Sequence, residues 1–136
     1  MTLLDTNVIL DVIGPPSDWQ IWSVDALDRC RQHGPLWVNE VVFAELSARI
    51  NSEPDVQRVL SELELSLERI PTTGLFVAGQ TYRRYRKLGG SRLNVLPDFF
   101  IGAHAEVSRV SILTRDARPY RTYFPQVRLI TPDASD

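Results

Sequence analysis

The chain alternates short apolar runs with longer segments in which apolar residues recur at helical spacing. Short runs closed by turn residues predict strands at 3–4, 36–39, 67–70, 110–116 and 127–132. Segments with helical period predict helices at 19–33, 40–50, 55–67, 73–88 and 96–107. Strands that alternate with helices indicate right-handed crossover connections. We therefore predict an α/β fold, a three-layer α/β/α sandwich with a central parallel sheet.

Length and composition indicate one domain. The 136 residues are 43% hydrophobic, so we expect a single domain over residues 1–132 and a disordered tail over 133–136. The net charge of -2 disfavours a broad basic surface that binds duplex nucleic acid. Cys30 is the sole cysteine, which excludes an intramolecular disulfide and cysteine-based zinc sites. Because no signal peptide or membrane span is recognisable, we expect a cytoplasmic protein without membrane contact.

Two acidic residues follow predicted strands. Asp5 comes directly after Leu3 and Leu4, and Asp116 follows SILT with only Arg115 between. Because the carboxyl ends of parallel strands meet at one rim, we expect both side chains there, where α/β sheets bind ligands. Each acid has a second interpretation, since Asp is also favoured in turns and before helices. The sequence leaves both interpretations open.

Two further acids lie on predicted helices. Glu45 stands at the border of the apolar stripe of its helix, where an unpaired carboxylate is costly. Asp98 lies in the first helical turn, on the side of Gly102 and Ala105, small residues that we expect to let the helix approach the sheet closely. Its second interpretation is a favourable interaction with the helix dipole. Four converging acids without a matching basic cluster favour a hard cation, Mg²⁺ or Mn²⁺, and hence phosphodiester hydrolysis.

Four blocks of the sequence resemble the acidic blocks of the PIN domain family, in the same order. They are LLDTNVIL, VVFAELSAR, LPDFFIGAHA and ILTRDARPYRTYFPQVRLITP. The size of the chain and the final block are similar to VapC-type toxin ribonucleases of toxin-antitoxin systems. The resemblance implies a catalytic and metal-binding cluster made of Asp5, Glu45, Asp98 and Asp116. It also implies that Asn7 and Thr114 are supporting polar groups.

The same resemblance implies a PIN-like endoribonuclease toxin that hydrolyses RNA phosphodiester bonds with Mg²⁺ or Mn²⁺. No lysine lies near an acidic block, so we expect a metal-activated water to attack the phosphorus. A small VapB-type antitoxin would hold the toxin inactive, and a homodimer is expected. Trp19 and Trp22, three residues apart, are a candidate hydrophobic strip for docking an antitoxin helix.

Candidate RNA contacts are basic residues near aromatic or acidic ones. Arg86 and Arg92 belong to segment 82–92, where tyrosine and arginine are interleaved in a way that suits stacking and phosphate contacts. A second interpretation places these tyrosines against the core or a dimer partner and these arginines in solvent. Arg115, next to Asp116, is a candidate phosphate contact or a group that neutralises the acids.

Two other functions remain open from the sequence. A haloacid-dehalogenase-like phosphatase also has an Asp nucleophile after its first strand, within an Asp-x-Asp-x-Thr pattern. Asn7 stands where that mechanism needs its second acid, and Lys87 is poorly placed as its phosphate-binding lysine. The other alternative is a PIN-like module that binds RNA without cleaving it. This alternative predicts RNA retention without cleavage products in Mg²⁺ or Mn²⁺.

Overall fold

The computed structural model describes residues 1–132, which form five strands and seven helices. The strands are β1 (Thr2–Leu4), β2 (Leu36–Val38), β3 (Leu65–Leu67), β4 (Ser111–Leu113) and β5 (Leu129–Ile130). The helices are α1 (Thr6–Ile13), α2 (Asp18–Arg31), α3 (Glu40–Ser47), α4 (Glu53–Glu62), α5 (Thr72–Lys87), α6 (Leu96–Ser108) and α7 (Arg118–Tyr123). Within this part of the chain, no helix has the length and apolar character that crossing a membrane requires. The disordered tail predicted at 133–136 lies outside the described residues.

The sheet has the strand order β3-β2-β1-β4-β5, and every neighbouring pair is parallel. Right-handed connections place α1 to α4 on one face and α5 to α7 on the other. The predicted three-layer α/β/α sandwich is therefore confirmed. From β1 the chain continues to β2 at one side, whereas from β4 it continues to β5 at the other. The crevice between β1 and β4 is thus the point where the strand order reverses, and α/β sheets bind ligands at such points.

The two central strands are covered by helices on both faces. Leu3 and Leu4 of β1 and Ile112 and Leu113 of β4 have 0% exposed surface. Consecutive aliphatic residues, rather than alternating ones, are typical of parallel strands that are buried on both sides. These strands form a packed platform that ends at Asp5 on one strand and at Thr114 on the other.

Around β3 the structure differs from the prediction. The helix predicted over 55–67 corresponds to α4, which ends at Glu62. Glu64 has a left-handed backbone conformation with a φ of 56°, which a right-handed helix does not accommodate. The strand predicted at 67–70 is β3, which begins and ends earlier in the chain. The predicted end of the helix and the predicted bounds of the strand were wrong, because the regular leucine spacing continues through Glu64, where the helix cannot continue.

Two short helices were not assigned by the hydrophobic pattern. In α1, Val8 and Ile9 are fully buried and follow the apolar residues of β1 so closely that no helical period stands out. The six residues of α7 are too few to show a period. The interpretation of Asp5 as a helix cap is confirmed, since its carboxylate accepts a hydrogen bond from the backbone N–H of Thr6 at 2.8 Å.

Helix α6 packs closely against the end of α7. A Cβ atom at Gly102 would lie 2.2 Å from Cδ2 of the buried Phe124 ring. The sequence predicted that Gly102 lets the helix approach the sheet. The close approach is instead to an aromatic ring of the neighbouring helical segment, and it sets the position of the helix that carries Asp98.

Candidate active site

The pairing of β1 with β4 brings the first and last acidic blocks together. Leu4 pairs with Leu113, and the backbone N–H of Asp5 donates to the carbonyl of Leu113 at 2.9 Å. Asp5 and Thr114 therefore follow neighbouring strands in matched register, 109 positions apart in sequence. The shared rim predicted from the sequence arises from this register.

The Asp5 carboxylate is buried and fixed by donors on both oxygens. One oxygen accepts the Thr6 backbone N–H, and the other accepts the hydroxyls of Thr114 at 2.8 Å and Tyr120 at 2.9 Å. Thr114 is thus placed as the predicted supporting group. The sequence did not reveal Tyr120, which is fully buried and 115 positions from Asp5. In the sequence, only its position inside the last acidic block indicated that Tyr120 could belong to the site.

Glu45 is half-buried on α3 and has a hydrogen-bond partner. The hydroxyl of Thr6 donates to Oε1 of Glu45 at 2.6 Å, which ties α3 to the first residue of α1. Asn39 caps α3 by accepting the backbone N–H of Val42 at 3.1 Å, so the helix begins at a defined point after β2. Thr6 is a second residue that the sequence reasoning missed, although a polar residue directly after Asp5 was a visible signal.

The four predicted acids line one open pocket. The pocket has a volume of about 420 Å³ and its lining includes Asp5, Glu45, Asp98 and Asp116, with Thr6, Asn7 and Arg49 among the other residues. Four carboxylates thus face one guanidinium in a shared space. The structure brings together the acids that the sequence selected, from four different parts of the chain. We call this space the acidic pocket.

Burial and repulsion by neighbouring acids disfavour the ionised forms of Asp98 and Asp5. Burial is the main cause that raises the pKa of Asp98 from 3.8 to about 7, and the charges of the three other acids add to it. Burial also raises the pKa of Asp5, although its hydrogen bonds oppose this effect. Shifts caused by desolvation together with like charges are common at functional sites.

Asp116 lies at the exposed side of the acidic pocket, and its pKa is shifted in the opposite direction to those of Asp5 and Asp98. Arg118 holds the pKa of Asp116 below its ordinary value, chiefly through a side-chain hydrogen bond, and the two charged groups are 3.1 Å apart. The backbone N–H of Asp116 donates to the Thr114 hydroxyl at 3.0 Å, and the Asn7 side-chain amide approaches the same hydroxyl at 3.4 Å. Asn7 and Thr114 therefore connect the strand ends that carry Asp5 and Asp116.

Comparison of the sequence with models of protein families identifies the family of this chain. The model described as the PIN domain matches residues 2–125. This chain belongs to the PIN domain family. A search of curated proteins finds none that matches it.

Several solved structures share the fold of this PIN domain. VapBC2 from Rickettsia felis, bound to a promoter DNA fragment, matches with a TM-score of 0.74 and 18% identity, covering 97% of this chain and 98% of the other. A toxin-antitoxin complex from Klebsiella pneumoniae matches with a TM-score of 0.66 and 18% identity, covering 98% of both chains. FitAcB from Neisseria gonorrhoeae matches with a TM-score of 0.64 and 20% identity, covering 97% and 98%. At these identities the likeness extends to the fold alone.

The acidic pocket contains carboxylate oxygens, which are the ligands that hard cations prefer. Its side chains, however, do not already point at one common position. Among residues 1–132, no group of three or more His, Cys, Asp or Glu side chains is positioned to hold a metal ion as it stands. Asp5 is turned towards its hydroxyl donors, and Asp116 towards Arg118. The Asp116–Arg118 pair is exposed, and such pairs contribute little free energy. The pocket shares four carboxyl groups, and the pKa is raised for two of them, Asp5 and Asp98. Their oxygens fit Mg²⁺ or Mn²⁺, which also retain water ligands.

The three predicted substrate contacts lie outside the acidic pocket of this PIN domain. Nε of Arg115 is 2.7 Å from Oδ2 of Asp11, so this arginine neutralises an acid of α1 rather than one of the four. Arg86 and Arg92 are exposed on or after α5. Tyr85 packs against Phe99 at 5.8 Å between ring centroids, which supports the interpretation that places the tyrosines of segment 82–92 against the core.

Proposed function

We propose that this PIN domain is a metal-dependent endoribonuclease toxin that is inhibited by a VapB-type antitoxin. The observation that carries the proposal is the convergence of Asp5, Glu45, Asp98 and Asp116 on one pocket at the β1–β4 crevice. A pocket with four carboxylates and one guanidinium suits a divalent cation and a phosphodiester better than a carbonyl or a neutral substrate.

In this proposal the carboxylates of Asp5, Asp98 and Asp116, with Glu45 beside them, hold Mg²⁺ or Mn²⁺. An ion held there would supply a water of lowered pKa and would stabilise charge on the phosphate oxygens. Thr114 and Tyr120 hold Asp5 in one orientation through their hydroxyls. Burial and the neighbouring acids disfavour ionised Asp98, and a cation beside its carboxylate would offset the repulsion by those acids.

The partner proposal comes from the solved structures that share the fold. Those described as VapBC or as toxin-antitoxin complexes contain both components, and we extend this pairing to the present chain. A homodimer remains a prediction from the family resemblance. RNA, rather than duplex DNA, is the proposed substrate, since the chain carries a net charge of -2 and has no broad basic excess for a duplex.

One observation weighs against the phosphatase alternative. The side-chain oxygen of Asn7 accepts the backbone N–H of Arg115 at 3.2 Å. It is therefore engaged in connecting two strand ends, at the position where that mechanism needs an ionisable acid. The other alternative, a module that binds RNA without cleaving it, is distinguished from our proposal by the cleavage assay described next.

The test uses protein freed of its partner and an end-labelled RNA pool. We expect cleavage in Mg²⁺ or Mn²⁺, no cleavage with chelator, and no cleavage by Asp5→Asn although its circular dichroism matches the parent. Glu62→Gln, an exposed carboxylate at the end of α4, is the matched control and should cut like the parent. RNA that is retained but never cut would favour the binding-module alternative, and equal cutting by Asp5→Asn would refute the assignment of that residue.

A further inference from the structure

A second pocket opens beside the acidic pocket and has the opposite charge. Its volume is about 410 Å³ and its lining includes Trp19, Arg115, Arg118 and Arg121. Asn7 and Asp116 line both pockets, so the two pockets adjoin. We call this second space the arginine pocket. Its volume lies within the range of about 300–1,000 Å³ that is typical of small-ligand sites.

Trp19 presents an aromatic surface in the arginine pocket. The side chain is 44% exposed, although its position is defined by two contacts. The guanidinium of Arg115 lies 4.7 Å from the ring centroid, and Trp22 packs against Trp19 edge to face at 6.3 Å. Because Arg115 is itself paired with Asp11, the ring is held by an ion pair that is anchored on α1. An exposed and oriented indole beside a catalytic pocket is suited to stacking on a nucleobase.

The charged groups of the arginine pocket suit a phosphate. Three arginines and one acid, Asp116, contribute to its lining. The Arg118 side chain is 88% exposed in its pair with Asp116, so a phosphate can replace the carboxylate as its partner at little cost. Planar guanidinium groups bind phosphate oxygens through two parallel hydrogen bonds. The exchange would also release Asp116 towards the acidic pocket.

We propose that the arginine pocket binds the RNA nucleotide next to the scissile phosphodiester, with its base on Trp19 and its phosphate at Arg118 and Arg121. The inference rests on the proposed function, because the acidic pocket defines where the scissile bond lies. A strand that leaves the acidic pocket past Asn7 and Asp116 enters the arginine pocket directly. A protein segment is the alternative occupant, and the experiment separates the two.

The experiment measures binding without cleavage. A fluorescein-labelled, mixed-sequence single-stranded RNA is titrated in Mg²⁺ against Asp5→Asn protein, and Trp19→Ala or Arg121→Gln is added to that background. We expect Trp19→Ala to weaken binding about tenfold without changing its salt dependence, as loss of stacking does. We expect Arg121→Gln to weaken binding and to reduce the slope of log K against log salt by about 0.7 to 1. Arg128→Gln, at the amino end of β5, removes the same charge elsewhere and should leave the slope unchanged.

In the cleaving parent background, Trp19→Ala should raise KM with little change in kcat, whereas a folding defect would lower the active fraction and appear in kcat. RNA affinities for both pocket variants equal to the Arg128→Gln control would overturn the proposal. So would normal RNA binding combined with lost antitoxin binding, since the pocket would then take a protein. A parent protein that fails to cut RNA contradicts the proposed function only, because the binding assay does not depend on cleavage.

Discussion

Replacing Asp98 by asparagine should stabilise the metal-free protein at neutral and alkaline pH. The pKa of Asp98 is raised to about 7 in the folded chain, against 3.8 for an ordinary Asp. When a carboxyl group has a higher pKa in the folded protein than in the unfolded chain, its ionisation lowers the free energy of unfolding. The cost is absent below pH 4, grows between pH 4 and pH 7, and is complete above pH 7. Asp98→Asn removes this cost and keeps the shape of the side chain.

The magnitude follows from the shift. At about 1.4 kcal/mol for each pH unit, the difference between 3.8 and about 7 corresponds to an upper limit of about 4.5 kcal/mol. Asp98 is only partly buried, so water and salt reduce this figure, and we expect a gain of about 1–3 kcal/mol. Loss of the favourable charge in the first turn of α6 costs about 0.3–1 kcal/mol, which reduces the gain without reversing it.

Urea unfolding with chelator, at several values between pH 5 and pH 8, measures this effect. The free energy of unfolding of Asp98→Asn should exceed that of the parent at pH 8, and the difference should shrink towards pH 5. Added Mg²⁺ should shrink it at pH 8 as well, because the ion stabilises the parent. Glu62→Gln, which removes an exposed carboxylate at the end of α4, is measured beside it as the control for the loss of one acid. A difference that is absent at pH 8, or that does not change with pH, would refute the account of Asp98.

Three further substitutions test the support of Asp5 and the packing of α6. Tyr120→Phe keeps the buried ring but removes a donor to Asp5, so urea unfolding should show a loss of about 1–3 kcal/mol; an unchanged free energy would mean that the hydroxyl does not support Asp5. Gly102→Ala should lower the melting temperature, since overpacking against Phe124 costs about 1–3 kcal/mol. Gly79→Ala on α5, where a Cβ meets nothing within 4 Å, should raise it through a gain of up to about 1 kcal/mol. Equal melting temperatures for the two alanine variants would contradict the close contact.

The sequence predicted the layers of the fold and the convergence of the acids because both depend on regular patterns. Aliphatic runs identify β1 and β4, and a parallel sheet necessarily brings Asp5 and Asp116 to the same rim. The end of α4 was not predictable in the same way. Leu63 and Leu65 continue an apolar pattern through Glu64, whose left-handed backbone depends on tertiary packing.

Side-chain contacts between distant parts of the chain also could not be predicted from the sequence. The hydroxyl of Tyr120 finds Asp5 across 115 positions, and no local pattern records such a partner. Arg115 was expected at a phosphate or at the four acids, but its partner is Asp11, which the sequence did not single out. The exposed Trp19 was interpreted with Trp22 as an antitoxin strip, whereas its contact with Arg115 became visible only in three dimensions.

The proposed reaction depends on a divalent cation in the acidic pocket. Calorimetry during titration of Mn²⁺ into the partner-free protein measures this binding directly. We expect saturable binding by the parent that strengthens as the pH rises through about 7, where Asp98 ionises, and much weaker binding by Asp5→Asn at the same pH. Binding of equal strength in the two proteins, or no saturable binding by the parent at pH 8, would contradict it.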